Sequence, residues 1–210
     1  MPKLNKELAE LYGIILGDGC ISRYYCSNRE RIEIRIDGNS LTDKEYYQYL
    51  QRLILKIIKK RIKIGFRKNV NGIYIKFTDR KLIDYFQNQL NFPIGKKGNI
   101  KITPKIESKG ELLNKTLRGF FDTDGSIYFT KNNSKIRNYP IIELSTHSPL
   151  LIQQLIKILK NKDFKPIISF NKDSVKLHGK KNVIKWMRKI GSSNPYKKKR
   201  FMKWFKKGYY

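Results

Sequence analysis

The chain nearly repeats itself. "LYGIILGDGCI" at residues 11–21 aligns with "LRGFFDTDGSI" at 117–127, matching Leu11/Leu117, Gly13/Gly119, Asp18/Asp124, Gly19/Gly125 and Ile21/Ile127. Downstream, "IEIRIDGNS" (32–40) has a counterpart in "IIELSTHSP" (141–149), and "YYQYLQRLILKII" (46–58) in "LLIQQLIKIL" (150–159). "GIYIKFTDRKLIDYF" (72–86) likewise pairs with "DSVKLHGKKNVIKWM" (173–187). The offset drifts by a few residues, as loops of unequal length produce. A duplicated unit of about 100 residues outranks local propensity in deciding the fold.

Within one unit the apolar period alternates between helix-like and strand-like. Residues 7–17 have helical spacing. "RIEIRID" then alternates, with Ile32, Ile34 and Ile36 on one face and Arg31, Glu33 and Arg35 on the other. Residues 44–59 return to helical spacing, "KIGF" and "IYIKF" form a hairpin whose turn signal is Asn71-Gly72, and "KLIDYFQNQL" is a helix stopped before Pro93. The expected fold class is α+β: two pseudo-symmetric αββαββα repeats, each an antiparallel sheet with helices on one face. The expected divisions are 1–94, a Gly/Lys/Pro linker at 95–110, and 111–210.

The charge balance narrows the partners. Lys and Arg number 46 against 17 Asp and Glu, a net charge of +29. Lysine-rich composition bias usually raises glutamate in step, and here the acids did not follow. Such a surplus implies a polyanion, with nucleic acid ahead of an anionic membrane surface. No apolar run approaches the ~18 residues of a membrane span, and "MPKLNKELAE" is not a secretion signal. The expectation is an intracellular chain, in cytoplasm or an organelle matrix. Cys20 and Cys26 have no histidine beside them, so neither a disulfide framework nor a zinc site is indicated. His147 and His178 read as polar residues or nucleic-acid contacts. The tail "KKKRFMKWFKKGYY" (197–210) supplies phosphate contacts, with a basic amphipathic membrane or partner helix as its rival reading.

The strand faces that alternate away from the apolar residues carry long hydrogen-bonding and basic side chains, the kind that read base edges in a major groove. In the first unit these are Ser22, Tyr24, Arg31, Glu33, Arg35, Lys63, Arg67, Tyr74, Lys76 and Thr78. In the second they are Tyr128, Thr130, Asn132, Tyr139, Glu143, Ser169, Asn171, Ser174, Lys176 and His178.

Each motif ends a greasy segment in an aspartate. Gly13 and Gly17 are four apart, as are Gly119 and Thr123, and small residues on one stripe let two helix backbones approach closely. If the segments pack on each other, Asp18 and Asp124 emerge side by side at helix C-termini, where like charge and dipole both repel them. A cation relieves that arrangement, and hard oxygen ligands suit Mg²⁺, with Mn²⁺ or Ca²⁺ as other occupants. Asp122 matches Leu16 in the first copy, so it reads as structural rather than as part of a symmetric site.

"LYGIILGDG" and "LRGFFDTDG", paired at this spacing, resemble the two motifs of the LAGLIDADG homing endonucleases in their single-chain form. The resemblance extends over essentially the whole chain. It implies two sheets saddling the DNA major groove, motif helices forming the contact between repeats, and Asp18 and Asp124 holding the metal that cuts both strands. It also implies a monomer acting on double-stranded DNA as a sequence-specific, Mg-dependent phosphodiesterase with a long target site. Relatives often carry a basic residue or Gln after the second strand of each repeat. Here those positions fall on Gly38-Asn39 and Thr146-His147. Relatives also place a lysine near the scissile phosphate, which is Lys96 or Lys97 in "FPIGKKG" and Lys197, Lys198 or Lys199 in "NPYKKKRF". Lys97 and Lys199 are the expected pair. The alternative function is an RNA-binding intron maturase that uses the same basic surface on intron RNA. A transcription regulator would need a further DNA-binding module that this length leaves no room for.

Overall fold

The computed structural model describes residues 2–131, 133 and 135–210. The first repeat runs α1 (Lys6–Leu16), β1 (Gly19–Cys26), β2 (Arg29–Asn39), α2 (Lys44–Ile58), β3 (Ile64–Phe66), β4 (Gly72–Phe77) and α3 (Arg80–Leu90). After a short α4 (Pro104–Glu107), the second runs α5 (Gly110–Asp124), β5 (Gly125–Thr130), β6 (Tyr139–Ser145), α6 (Pro149–Asn161), β7 (Pro166–Ile168), β8 (Ser174–His178) and α7 (Gly179–Lys189). A final helix, α8 (Pro195–Lys207), follows. Helix starts follow short polar side chains: Asn5 accepts from the Leu8 amide, Asp79 from Leu82, and Ser148 from Leu151. Gly208, at φ 78°, ends α8 in the left-handed region.

Both sheets are antiparallel and share one strand order, β1-β2-β4-β3 and β5-β6-β8-β7. Register is the same in both. Gly19 faces Ile36 and Ile36 faces Ile75; Gly125 faces Leu144 and Leu144 faces Val175. The inward set, Ile21, Ile34, Ile36 and Ile75 against Ile127, Ile142, Leu144 and Val175, is almost wholly removed from water. A one-residue slip would turn every one of these side chains outward, so burial fixes the register.

The two repeats meet through α1 and α5, packed backbone to backbone. A Cβ on Gly13 would lie 2.0 Å from the Thr116 carbonyl oxygen, and one on Gly119 would lie 2.3 Å from that of Glu10. One on Gly17 would strike Thr123 Oγ1 at 2.0 Å. The small-residue stripe is thus the contact line, and Thr116 Oγ1 donates across it to the Ala9 carbonyl at 2.9 Å.

One detail differs from the sequence reading. The β3–β4 turn places its left-handed residue at Asn69 (φ 62°), not at the Asn71-Gly72 dipeptide, because Gly72 is already paired as the first residue of β4. The connecting stretch 95–110 is packed against the second repeat. Ile100, Ile102 and Ile106 are buried, and Gln154 grips Ile102, accepting from its amide at 2.7 Å and donating to its carbonyl at 2.9 Å. The basic tail is a helix docked on the second sheet, where Trp204 and Tyr210 stack on Phe129. Among the described residues no helix is long and apolar enough to cross a membrane.

Overpacking at the helix contact is the sharpest way to break this fold. Gly119→Ala is expected to lose about 3 kcal/mol of unfolding free energy in denaturant titration, since backbone cannot yield as a side chain can. Gly110→Ala, with nothing within 4 Å of its new methyl, is expected to be neutral or slightly stabilising.

Candidate functional site

The close approach of α1 and α5 decides where the motif aspartates go. Asp124 is the last residue of α5, and Asp18 lies one residue beyond Gly17, the C-cap of α1. Their carboxyl groups come within hydrogen-bonding reach of each other at the seam between repeats. Burial, then the Asp124 charge and hydrogen bond, push the Asp18 carboxyl up to about 7. Asp18 is exposed at the surface of the seam, even though the groups packed around it desolvate its carboxyl, whereas Asp124 is half-buried.

Two lysines answer the helix ends. Lys97 Nζ donates to the carbonyls of Ile15, Leu16 and Gly17, at 3.3 Å and 2.9 Å for the first two, the last carbonyls of α1 and its cap. Lys197 Nζ donates to the carbonyls of Phe121, Thr123 and Gly125, at 3.4 Å and 2.6 Å for the latter two, closing α5 in the same way. Each ammonium satisfies carbonyls the helix leaves without partners and sits at the negative end of the dipole. Burial pulls Lys97 below the ordinary lysine range and Lys197 down to about 8, although both face Asp18 and Asp124.

The geometry separates the neighbouring lysines. Lys199, expected from the sequence, lies on the exposed face of α8, 3.0 Å from Glu45 and away from the carboxylates. Lys197 holds the place that mirrors Lys97. The strand register carries the same offset: Ile75 and Val175 occupy matching positions, 100 residues apart, as Lys97 and Lys197 are.

Clefts flank the seam on both sides. One of about 750 Å³ is lined by Lys96, Lys97, Asp124, Thr146 and His147. The other, about 140 Å³, is lined by Asp18, Asp43, Tyr47, Asp122 and Lys197. The sides are not equivalent. Asn39, in register with His147, is tied into its own turn, accepting from the Leu41 amide at 2.9 Å, while His147 is exposed. Asp122 is buried, held by Ser192 Oγ and by the Ser193 amide at 2.6 Å, and burial raises its carboxyl to about 6. Glu10, also buried, accepts from Ser193 Oγ (2.6 Å), Tyr49 (2.7 Å) and Arg118 (2.6 Å). Thr116 and Leu16 stand at the mirror positions, so this network has one side only.

The outward strand faces begin at the seam. Cys20, Ser22 and Tyr24 of β1 face Arg35, Glu33 and Arg31 of β2, and Tyr74 and Lys76 of β4 extend the row. Arg35 is less free than its parity implied: it grips Asp37 through Nε (2.9 Å) and Nη2 (3.1 Å) and lies over the Tyr74 ring. Arg67 also reaches Asp37, at 2.6 Å, whereas Lys63 is exposed without an ion pair among the described residues. Tyr24 donates to Glu33 at 3.0 Å, and Thr78 to the Ile32 carbonyl. In the second sheet Tyr128, Thr130, Tyr139, Glu143, Lys176 and His178 share the outer face, with Glu143 paired to Lys176 at 3.3 Å. Two residues depart from the sequence reading there. Ser174 is buried, donating to Glu143, and Ser169 is spent locking the β7–β8 turn through Asp173. Asn171 is exposed in that turn, and Asn132 lies outside the described residues. The pattern could not reveal that Asp43 and Ser192–Asn194 join the site, because their partners there are distant in the chain.

Two four-stranded sheets on a glycine-packed helix pair, with a carboxylate at each helix end, define the two-motif LAGLIDADG homing-endonuclease fold. Residues 111–193 match the LAGLIDADG-like domain. Over 94% of the chain and 97% of its counterpart, the structure superposes on I-DmoI in complex with DNA and Ca, with TM-score 0.64 and 17% identity. Over 96% and 92% it superposes on the I-LtrWI LAGLIDADG homing endonuclease bound to target DNA (TM-score 0.58, 12% identity). Among sequence relatives, an uncharacterized protein of Methanocaldococcus jannaschii, MJ1054, is 30% identical over 168 residues. That match takes in 75% of this chain and 17% of the relative, so the chain spans under a fifth of that protein's length.

The donor chemistry fits a hard divalent ion. Two carboxylates forced together, one with a raised pKa, are what an oxygen-seeking cation relieves, with waters and phosphate oxygens completing its shell. The titration has a sign. Asp18 and Asp122 have folded pKa values above their unfolded ones. Their contribution is therefore full below about pH 4 and is lost as pH rises through about 6 to 7. Lys197, depressed to about 8, keeps its penalty below that pH and sheds it above. In chelator, stability is expected to fall from pH 4 to 7. Asp18→Asn should flatten that fall and gain about 1 kcal/mol at pH 7.5, a figure kept small by solvent screening. Thermal melts across pH check this, and added Mg²⁺ should raise the wild-type Tm but not the variant's.

Proposed function

We propose that the chain is a sequence-specific DNA endonuclease that makes metal-dependent double-strand cuts at a long target. The carrying observation is the paired Asp18 and Asp124 with Lys97 and Lys197 in mirrored places. A protein that only bound nucleic acid would have no use for two carboxylates set against each other beneath a basic surface. The resemblance to DNA-bound endonucleases of the same fold supports the reading.

Hydrolysis adds water across a P–O bond: the water oxygen bonds phosphorus, the ester oxygen leaves, and one proton passes from the water to the leaving oxygen. Asp18 and Asp124 would hold Mg²⁺, which when bound polarises the phosphate and lowers the pKa of its water. Lys97 and Lys197 stand beside the carboxylates as cations where charge builds on the phosphoryl oxygens. With its amine drawn to about 8, Lys197 can also pass a proton near neutral pH. The outer rows of both sheets supply groove contacts, and the buried seam sets the spacing between the two cuts.

The test uses a duplex that joins the two sequences flanking the reading frame. Wild type is expected to cut both strands with Mg²⁺ or Mn²⁺. Asp18→Asn and Asp124→Asn should each abolish double-strand cleavage while keeping specific binding. Binding without cleavage by the wild type, together with tight binding of intron RNA, would favour the maturase reading instead. Between the lysines, Lys197→Met is expected to lower the cleavage rate about 100-fold, and Lys199→Met to change it less than about threefold. Arg35→Ala should relax discrimination at one or two base positions, read by a substituted-target panel, rather than weaken all sequences alike.

A further inference from the structure

A further cleft opens on the helical side of the molecule, toward the end of α1 remote from the carboxylates. Glu10, its nearest lining residue on α1, lies eight residues before Asp18, about 12 Å along the helix. The cleft, about 290 Å³, lies between α1, α2 and α5, and Arg52, Lys56, Lys115 and Arg118 converge on it. Glu7 and Glu10 are its acids. Glu10 is already spent, accepting from Arg118, Tyr49 and Ser193, and the nearby Lys6 is paired with Glu111 at 2.5 Å. Arg52, Lys56 and Lys115 have no ion pair among the described residues, and Arg118 Nε is buried without a hydrogen-bond partner. Cations outnumber the free acid, Glu7, inside a concave wall. Burial, and after it the charges of Arg118 and Lys6, hold the Lys115 amine below its ordinary range, as expected of a cation lacking its counter-ion.

The row continues beyond the cleft. Arg52 and Lys56 stand four residues apart on α2, a step of about 6 Å along the helix, and Lys59, Lys60 and Arg61 follow just beyond its left-handed cap at Lys59, all five exposed. A ladder of positive charge at that step matches successive phosphates of an extended strand. A small free anion would fill the cleft and ignore the ladder. A duplex presents broad convex ridges that suit the strand faces better than a narrow recess between helices.

We propose that this cleft and the α2 ladder bind the phosphodiester backbone of a single-stranded nucleic-acid segment, separately from any duplex lying on the sheets. The interaction needs none of the seam carboxylates, so it stands or falls independently of cleavage.

The experiment measures binding of fluorescent oligo(U) and oligo(dT), each about 20 nucleotides long, by anisotropy in the presence of excess unlabelled non-specific duplex. Single-strand binding is expected to persist under that competitor. Arg52→Gln/Lys56→Gln/Lys115→Gln should weaken it more than tenfold and reduce the slope of log K against log salt by about 2. A sheet-face control, Arg31→Gln/Lys63→Gln/Lys76→Gln, should leave it unchanged while weakening duplex binding. Glu7→Gln, which subtracts only a negative charge, should strengthen it a few-fold, a gain that a folding defect cannot mimic. Equal affinity for the two oligonucleotides identifies backbone recognition, and preference for oligo(U) identifies RNA as the source. Competition by the duplex, an unchanged salt slope in the cleft variant, or loss in the sheet-face control would each overturn the proposal.

Discussion

The structure depends on two helix backbones touching where side chains ordinarily keep them apart. Gly13 and Gly119 leave no room for a methyl, so α1 and α5 are drawn together along a line that ends at Asp18 and Asp124. That contact has two consequences at once. It joins the repeats into one core, and it places like charges side by side at two negative dipole ends. Wider packing would relax the charges and lose the seam.

The protein tempers that repulsion with lysines aimed at carbonyls rather than at carboxylates. Lys97 and Lys197 spend their donors on the helix ends, and the carboxylates feel them as neighbouring charge. This leaves carboxylate oxygens available, because direct Lys–Asp hydrogen bonds would have occupied them. Burial of the ammonium groups in turn lowers their pKa, that of Lys197 to about 8.

Much of this was legible in the sequence, and the reasons are physical. Strand alternation and helix spacing report burial directly, and the duplicated Asp-Gly at matching places distinguished Asp124 from Asp122 without coordinates. The sequence did not single out Lys197 as the lysine beside the carboxylates, because "KKKR" offers four adjacent cations, and composition does not say which one a helix buries. The β3–β4 turn followed strand pairing over dipeptide preference. Arg35 lost some of its freedom to Asp37, two residues away on the same strand face, a contact that parity alone allowed but did not single out. Glu10 was illegible for the opposite reason: its partners come from α2, α5 and the segment after α7, and no local pattern announces such a convergence.

The one-sided polar knot around Glu10 and Asp122 bears on the ancestry of the chain. Two identical copies of the second half, assembled as a homodimer, would set Thr116 where Glu10 now stands, leaving each Ser193 hydroxyl without its acceptor. Two copies of the first half would have Leu16 in place of Asp122 and no Ser192–Asn194 segment to meet it. After doubling, the halves have diverged into lock and key, so neither can any longer stand in for its twin.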